Sequence, residues 1–134
     1  MMDVSSISSN QYTYGLLSKG LDATSERGKA ISNNIANVNT KDYKRYYVSF
    51  EDNLKNSMDN LGMERTDSRH INDGASFGDI QLKQDTASSV NEDGNNVDID
   101  SEMSNDAQNT LEYYTLINQI SSRINMERNV INGR

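Results

Sequence analysis

The sequence predicts a mainly α-helical protein, in which two long terminal helices pair as a coiled-coil-like hairpin around a polar, partly irregular middle. Apolar residues recur at steps of three and four near both ends of the 134-residue chain, proline is absent, and the middle keeps no apolar period. Steps of three and four place side chains on one helical face. We therefore expect one discontinuous helical core domain from residues 12–40 and 98–134, a flexible tail at 1–11, and a partly mobile outer segment at 41–97.

Composition limits how much of itself this chain can bury. Apolar residues make up 34% of it and the mean hydropathy is -0.83, so its apolar faces suit burial against partners better than a large private core. The net charge of -7 argues against nucleic acids and anionic membrane surfaces as partners. The chain has no cysteine for disulfides or thiolate metal sites, and no apolar run long enough for membrane insertion.

The first helix is predicted over residues 12–38. Its seam consists of Leu17, Leu21, Thr24, Gly28, Ile31, Ile35 and Val38. Four asparagines, Asn33, Asn34, Asn37 and Asn39, lie within or beside the end of this seam. Asparagine is a mediocre helix former, because its amide competes for backbone hydrogen bonds. On a helical seam an amide is tolerated when it has a partner, and it then fixes register.

The middle of the chain begins with an extended segment. Aromatic and β-branched residues alternate over residues 46–50, which is typical of a strand. Ser49 and Asp52 then resemble a capping box. Apolar residues at one-turn spacing predict a short amphipathic helix over residues 50–61, with Gly62 as its stop.

The segment from Gly62 to Asn96 shows no sustained period. Its scattered apolar residues allow short strands around residues 77–82 and at Val90, or a mobile segment.

The second long helix is predicted over residues 101–131, with Asp98 and Asp100 available as caps. Its apolar stripe consists of Met103, Ala107, Leu111, Tyr114, Ile117, Ile120, Ile124 and Ile131. The two stripes either pack only on each other within a monomer or also offer faces to neighbouring subunits. Low apolar content and long helices favour the second interpretation.

Catalytic and metal-binding signals are weak. The only histidine, His70, lies in the unpatterned middle, with no spacing that suggests a triad. A calcium loop centred on Gly94 would begin with Ser89 and end with Asp100, which is too short for the bidentate glutamate of that motif. A turn followed by a helix cap explains Gly94 and Asp98 more simply. We predict neither an enzyme nor a cofactor.

The stretch ISNNIANVNTKDYKR, residues 31–45, resembles the N-terminal motif of flagellar axial proteins, the rod and hook subunits. That motif reads roughly A-N-N-I/L-A-N-x-x-T-x-G-Y-K-R. The later stretches VSFEDNL and DGNNVDIDSEM narrow the resemblance to the small subunits of the proximal rod. Where the family usually has Pro-Gly after the threonine, this chain has Lys41-Asp42, and we expect these residues to form a type I turn.

The resemblance implies a structural subunit of the basal-body rod, which self-assembles with other axial proteins and transmits torque from motor to hook. It implies export through the flagellar type III apparatus without a cleaved signal peptide, and a place in the periplasmic rod. The partners it implies are other rod proteins, the adaptor linking the rod to the membrane ring, and the export apparatus.

Subunit-interface residues follow from the stripes and from this resemblance. The apolar candidates are Leu17, Leu21, Ile31, Ile35 and Val38 near the N-terminus, and Leu111, Tyr114, Ile117, Ile120 and Ile124 near the C-terminus. The polar candidates for subunit or turn contacts are Asn33, Asn34, Asn37 and Tyr43.

Three alternatives stay open. Another rod subunit would share this architecture. A cytoplasmic coiled-coil adaptor or export chaperone would share the helical stripes. A rod-linked muramidase is the most remote alternative.

Overall fold

The computed structural model describes residues 4–63, 78–87 and 92–133. Its elements are α1 (Val4–Ala36), β1 (Tyr46–Ser49), α2 (Glu51–Met63), β2 (Gln81–Gln84) and α3 (Ile99–Asn132). These elements confirm the predicted fold class of two long helices with a short helix and a small sheet between them. The possible strand at Val90, the solitary His70 and the start of the calcium-loop alignment at Ser89 lie outside the described residues.

Helix α1 begins earlier than the sequence predicts. Residues 4–11, expected as a flexible tail, belong to the helix, which starts at Val4 instead of Tyr12. This stretch contains neither glycine nor proline, and adding turns to an existing helix costs far less than starting one. The helix ends at Ala36, two residues before the predicted end.

The two long helices pack antiparallel. Near the middle of the pair, a Cβ atom added at Gly20 would lie 3.4 Å from the Leu116 side chain. Further along, one added at Gly28 would lie 3.4 Å from Nδ2 of Asn109. Small residues on α1 therefore let α3 approach closely, as expected where Cβ atoms are absent.

The face of α3 that meets α1 combines Leu116 with polar residues, which differs from the predicted continuous apolar pairing. Asn109 is buried there, and its Nδ2 donates a hydrogen bond to the carbonyl of Thr24 at 3.0 Å. By contrast, Leu111 and Tyr114 of the predicted stripe are 70% and 60% exposed. Polar groups of α1 select polar partners on α3, because a buried polar group must be hydrogen-bonded.

Arg27 of α1 links its own helix to α2 and α3 through ion pairs. Its guanidinium donates to Glu112 of α3 at 2.8 Å and also binds Glu51, the first residue of α2. Because both carboxylates are partly exposed to solvent, this contact orients α2 more than it stabilises the fold.

The small apolar core lies between α1 and the sheet. Strands β1 and β2 are antiparallel, with Val48 opposite Leu82. Val48 and Phe50 pack on Ala23 and Ala30 of α1. One side of β1 thus closes against the helix, whereas every residue of β2 is exposed.

The ends of the shorter elements are set by side chains. Ser49 is the last residue of β1, one residue too early to be the N-cap of α2, so the predicted capping box does not form. The prediction for α3 is confirmed: Asp98 is its N-cap, and its side chain accepts a hydrogen bond from the Asp100 amide at 3.1 Å. Among the described residues, no helix combines the length and apolar character needed to cross a bilayer.

Val48→Ala should lower the free energy of unfolding by about 2 kcal/mol, because Val48 is buried against α1. Its cross-strand neighbour offers a matched control: Leu82 is 61% exposed, and Leu82→Ala should change stability by less than about 0.5 kcal/mol. Urea denaturation of both variants measures the difference. Equal losses would mean that the sheet does not pack on α1 through β1.

Candidate functional site: a buried polar junction at the end of the first helix

A cluster of polar side chains fills the place where α1 ends, β1 begins and α3 starts. We call it the polar junction and define it by Asn34, Arg45, Asn95, Asn96 and Glu102. The three asparagines and the glutamate are between 0% and 5% exposed. Burial of this kind is stable only when nearly every polar atom has a partner.

Asn34 uses all the hydrogen-bonding capacity of its amide. Its Oδ1 accepts from the backbone N–H of Tyr46 at 2.8 Å and from the Tyr43 hydroxyl at 3.2 Å. Its Nδ2 donates to the Tyr46 carbonyl at 2.7 Å and to Oε2 of Glu102 at 2.9 Å. An amide has two donor and two acceptor positions, so none is left for a neighbouring subunit. The side chain binds Tyr46 much as a paired strand would.

Glu102 is a buried carboxylate with its charge compensated. Its Oε1 accepts from Nε of Arg45 at 3.0 Å and lies 2.8 Å from Nη2 of the same guanidinium. Because Asn34 donates a hydrogen bond to Oε2, both carboxylate oxygens of Glu102 have a partner. A buried ion pair in this arrangement contributes specificity more than stability, and removal of one partner is costly.

Asn95 supplies hydrogen bonds to the turn that follows α1. Its Nδ2 donates to the carbonyls of Asn37 and Val38 at 3.0 Å each and to that of Thr40 at 2.9 Å. Its Oδ1 accepts from the Val97 amide at 2.7 Å. These carbonyls belong to the turn that follows α1, so Asn95 holds that turn from a distant part of the chain. The carbonyls at the end of the helix itself are bonded locally, by the amides of Asn37 and Val38.

Asn96 joins the two strands where the sheet begins. Its Oδ1 accepts from the Arg45 amide at 2.7 Å, and its Nδ2 donates to the Asp85 carbonyl at 3.0 Å. Beside it, the Asp85 amide donates directly to the Arg45 carbonyl at 2.9 Å. The side chain of Asn96 thus completes the first rung of the β1–β2 ladder.

The turn after α1 differs from the one the sequence predicts. The Tyr43 amide donates to the Thr40 carbonyl at 3.3 Å, and Asp42, the third residue of this turn, has a φ of 58°. A type I turn would need a negative φ at that position. Aspartate tolerates the left-handed region better than most residues, so Asp42 adopts the sign of φ that the family's glycine would favour.

The predicted interface residues are distributed unevenly in the structure. Ile31 and Asn34 are buried inside the chain, whereas Asn33 is exposed. The half-buried residues are Leu17, Leu21, Ile35, Asn37, Val38, Tyr43, Ile117 and Ile120. The exposed ones on α3 are Leu111, Tyr114 and Ile124.

Sequence reasoning missed the roles of four junction residues. Arg45 lies in the stretch ISNNIANVNTKDYKR, and Asn95, Asn96 and Glu102 lie in DGNNVDIDSEM, so these four residues entered the sequence analysis only as parts of the family resemblance. Their spacing to Asn34 carries no local signal, but two adjacent asparagines before a helix cap could have indicated amides used as caps.

The described residues contain no group of three His, Cys, Asp or Glu side chains that could hold a metal ion. An open groove runs between β1 and α3, lined by residues that include Tyr47, Leu111 and the paired Arg27 and Glu112. Both charged groups are already bound to each other. The hydrogen bonds and the ion pair of the polar junction join α1, β1 and α3.

The comparisons with known proteins agree on one family. A family model described as flagella basal body rod protein matches residues 17–44. That match follows α1 through the turn at Asp42 and includes Asn34 and Tyr43 of the region described above.

Three similar proteins extend the match along the chain. The flagellar basal body rod protein FlgB of Bacillus subtilis (strain 168) is 32% identical over 117 residues, covering 87% of this chain and 91% of that protein. FlgB of Borrelia hermsii is 38% identical over 107 residues, covering 73% of this chain and 79% of that protein. FlgB of Borreliella burgdorferi is 35% identical with the same coverage of 73% and 79%.

Asn34→Ala should lower the free energy of unfolding by about 3 kcal/mol, because it leaves buried groups of Tyr46 and Glu102 without partners. The neighbouring Asn33 is exposed, so Asn33→Ala provides a control expected to stay within about 0.5 kcal/mol of the parent protein. Denaturant titration compares them. Similar values for the two variants would show that the Asn34 amide is not used as described.

Ionisation of Tyr43 should weaken the junction at high pH. Burial first, and then neighbouring Tyr46 and Glu102, raise the pKa of Tyr43 above its ordinary value. The stability that Tyr43 contributes is fully present below the ordinary tyrosine pKa and is lost as the pH rises through the raised pKa. It is lost because the ionised oxygen can no longer donate a hydrogen bond to Asn34. NMR titration of the Tyr43 ring, assigned with Tyr43→Phe, measures it. A normal or lowered pKa would contradict the described burial.

Proposed function

Because this chain belongs to the FlgB family of flagellar basal body rod proteins, it is a structural subunit of the flagellar rod, and we propose that it joins neighbouring subunits through the outer face of α3. The observation that carries the proposal is an apolar stripe left exposed after α1 and α3 have paired. The stripe is defined by Met103, Leu111, Tyr114, Ile124 and Ile131, all exposed.

The spacing of this face suits another helix. Met103, Ala107, Thr110, Tyr114 and Ile117 follow one another at steps of four and three. That is the spacing of a coiled-coil seam, whose side chains need a facing helix. A long exposed apolar stripe on a chain of low apolar content is characteristic of a protein interface.

The outer face of α3 is also poor in charge. The charged residues between Met103 and Val130 are Asp106, Glu112, Arg123, Glu127 and Arg128. Glu112 binds Arg27 of α1, and both Arg123 and Glu127 interact with Tyr14 of α1. Most charges of α3 are thereby turned toward the partner helix within the chain. Depletion of charged residues and enrichment in tyrosine and methionine are features of interface cores.

The residues at the N-terminal end divide into two roles. Ile31 and Asn34 act inside the chain, where they hold α1 to its neighbours. Leu17, Leu21 and Ile35 are half-buried and keep part of their surface for a neighbouring subunit. The remaining candidates for contacts with that subunit are Asn33, Asn37, Val38, Tyr43, Ile117 and Ile120.

The same proposal extends to place and partners. We place the subunit in the periplasmic, membrane-proximal part of the rod. It reaches that place through the flagellar export apparatus, without a cleaved signal peptide. Its neighbours are other axial proteins, further copies of itself and the adaptor to the membrane ring, and together they transmit torque. Family membership supports this extension. A helical assembly of this kind needs heterologous contacts and no closed symmetry.

The alternative of a cytoplasmic adaptor or export chaperone has no comparable support. The three relatives described above all carry the name of a basal body rod protein.

Replacing the exposed stripe by charge tests the proposal. Cells carrying Leu111→Glu and Tyr114→Glu together should make the protein but lose motility, with rods missing in electron cryotomograms. The purified variant should keep the helical circular dichroism of the parent, because both side chains are exposed. Gln119→Glu, also exposed on α3, is the control and should swim normally. Complete rods in the double variant would contradict the assignment of this face.

A further inference from the structure

Helix α1 ends without a local stop signal. Residues 36–42 contain neither glycine nor proline, the residues that most often follow a helix end. The last helical bond runs from the Asn37 amide to the Asn33 carbonyl at 3.1 Å. Beyond it the local bonds are those of single turns, from the Val38 amide to the Ile35 carbonyl and from the Thr40 amide to the Asn37 carbonyl. The conformation of this turn is also fixed by groups outside the stretch, since the Val38 carbonyl accepts a hydrogen bond from Asn95.

The residues that hold the turn after α1 come from much later in the chain. Asn95 lies 55 to 58 residues beyond the three carbonyls to which its amide donates. Its own position is fixed locally, because the Asn95 amide donates to Oδ1 of Asp93 at 3.2 Å. We call residues 92–98 the strap.

The strap also holds the strained turn. The Asp42 amide donates to the Asp93 carbonyl at 3.1 Å, and Nζ of Lys44 donates to the Gly94 carbonyl at 2.9 Å. Gly94 itself has a φ of 85°, and a Cβ atom there would clash with Oδ1 of Asp42. The left-handed conformation of Asp42 therefore depends on a strap that fits tightly beside it.

We propose that the strap works as a conformational device that fixes the turn after α1 from a distance and opens and closes as one local unit. When it is docked, it fixes the turn after α1 through Asn95, the first rung of the sheet through Asn96, and the start of α3 through Asp98. When it opens, residues 37–45 lose their fixed conformation together with that rung. The position of the strands relative to the helix pair is then no longer set at this end.

The middle of the helix pair does not depend on the strap. Its contacts are those of Gly20 with Leu116, Thr24 with Asn109, and Arg27 with Glu112, and all of them lie between α1 and α3. Opening of the strap should thus be a sub-global event of the kind that hydrogen exchange resolves.

Native-state amide hydrogen exchange of the full chain tests the proposal with Asn95→Asp, which removes the donor while keeping the size of the side chain. The amides of Asp42, Arg45 and Asp85 should exchange at least about tenfold faster. Amides of residues 21–31 and 105–116 should stay within about twofold of the parent. Asn118→Asp adds the same charge at an exposed position of α3 and should change neither group.

A second variant reaches the strap by another route. Gly94→Ala places a Cβ atom against Asp42 and should give the same local pattern of faster exchange. Faster exchange throughout the chain in both variants would overturn the proposal, since the strap would then be an ordinary part of one cooperative unit. Unchanged exchange at Asp42 and Arg45 would overturn it as well.

Discussion

The structure depends on one side-chain amide. Asn34 binds both backbone groups of Tyr46 and a carboxylate oxygen of Glu102, and so joins α1 to β1 and to α3 at a single point. Because the amide has a fixed geometry and no spare hydrogen bonds, it allows only one register among the three elements. Apolar contacts would tolerate small shifts, whereas a buried amide and an ion pair do not. The polar junction therefore contributes specificity where a small apolar core contributes little.

This use of polar side chains explains the low apolar content of the chain. The helix pair is held by the Thr24–Asn109 hydrogen bond, the Arg27–Glu112 ion pair and the close approach of Gly20 and Leu116, without a continuous apolar seam. The apolar stripe of α3 is consequently not needed inside the chain and stays on its surface. A rod subunit benefits from this division, because its internal contacts are specific and its apolar surface remains available to neighbours. Interfaces between subunits of permanent assemblies resemble a core that has been divided between chains.

Much of the fold could be predicted from the sequence, because periodicity is a local property. The two long helices, the strand at Tyr46, the helix after it and the Asp98 cap all follow from patterns within a few residues. The start of α1 at Val4 does not follow from such patterns, because a serine-rich stretch without glycine or proline has the same sequence pattern whether it is helical or irregular. The stripe on α3 was identified as apolar, but apolar spacing does not distinguish burial within a chain from burial against another chain.

The polar junction could not be predicted from local sequence patterns, for a different reason. The asparagines near the end of α1 stood out, yet the partner of Asn34 on α3 lies 68 residues away, and no local pattern connects the two. The positive φ of Asp42 was likewise missed, because it is supported by Asp93 and Gly94 from the far side of the chain.

The most direct test of this account is a double-mutant cycle between Asn34→Ala and Glu102→Gln, measured as free energies of unfolding. If the two side chains act as parts of one junction, the sum of the two single effects should differ from the effect of the double substitution by at least about 1 kcal/mol. Effects that add to within about 0.3 kcal/mol would mean that the two residues act independently. The junction would then not be the unit on which the arrangement of helices and strands depends.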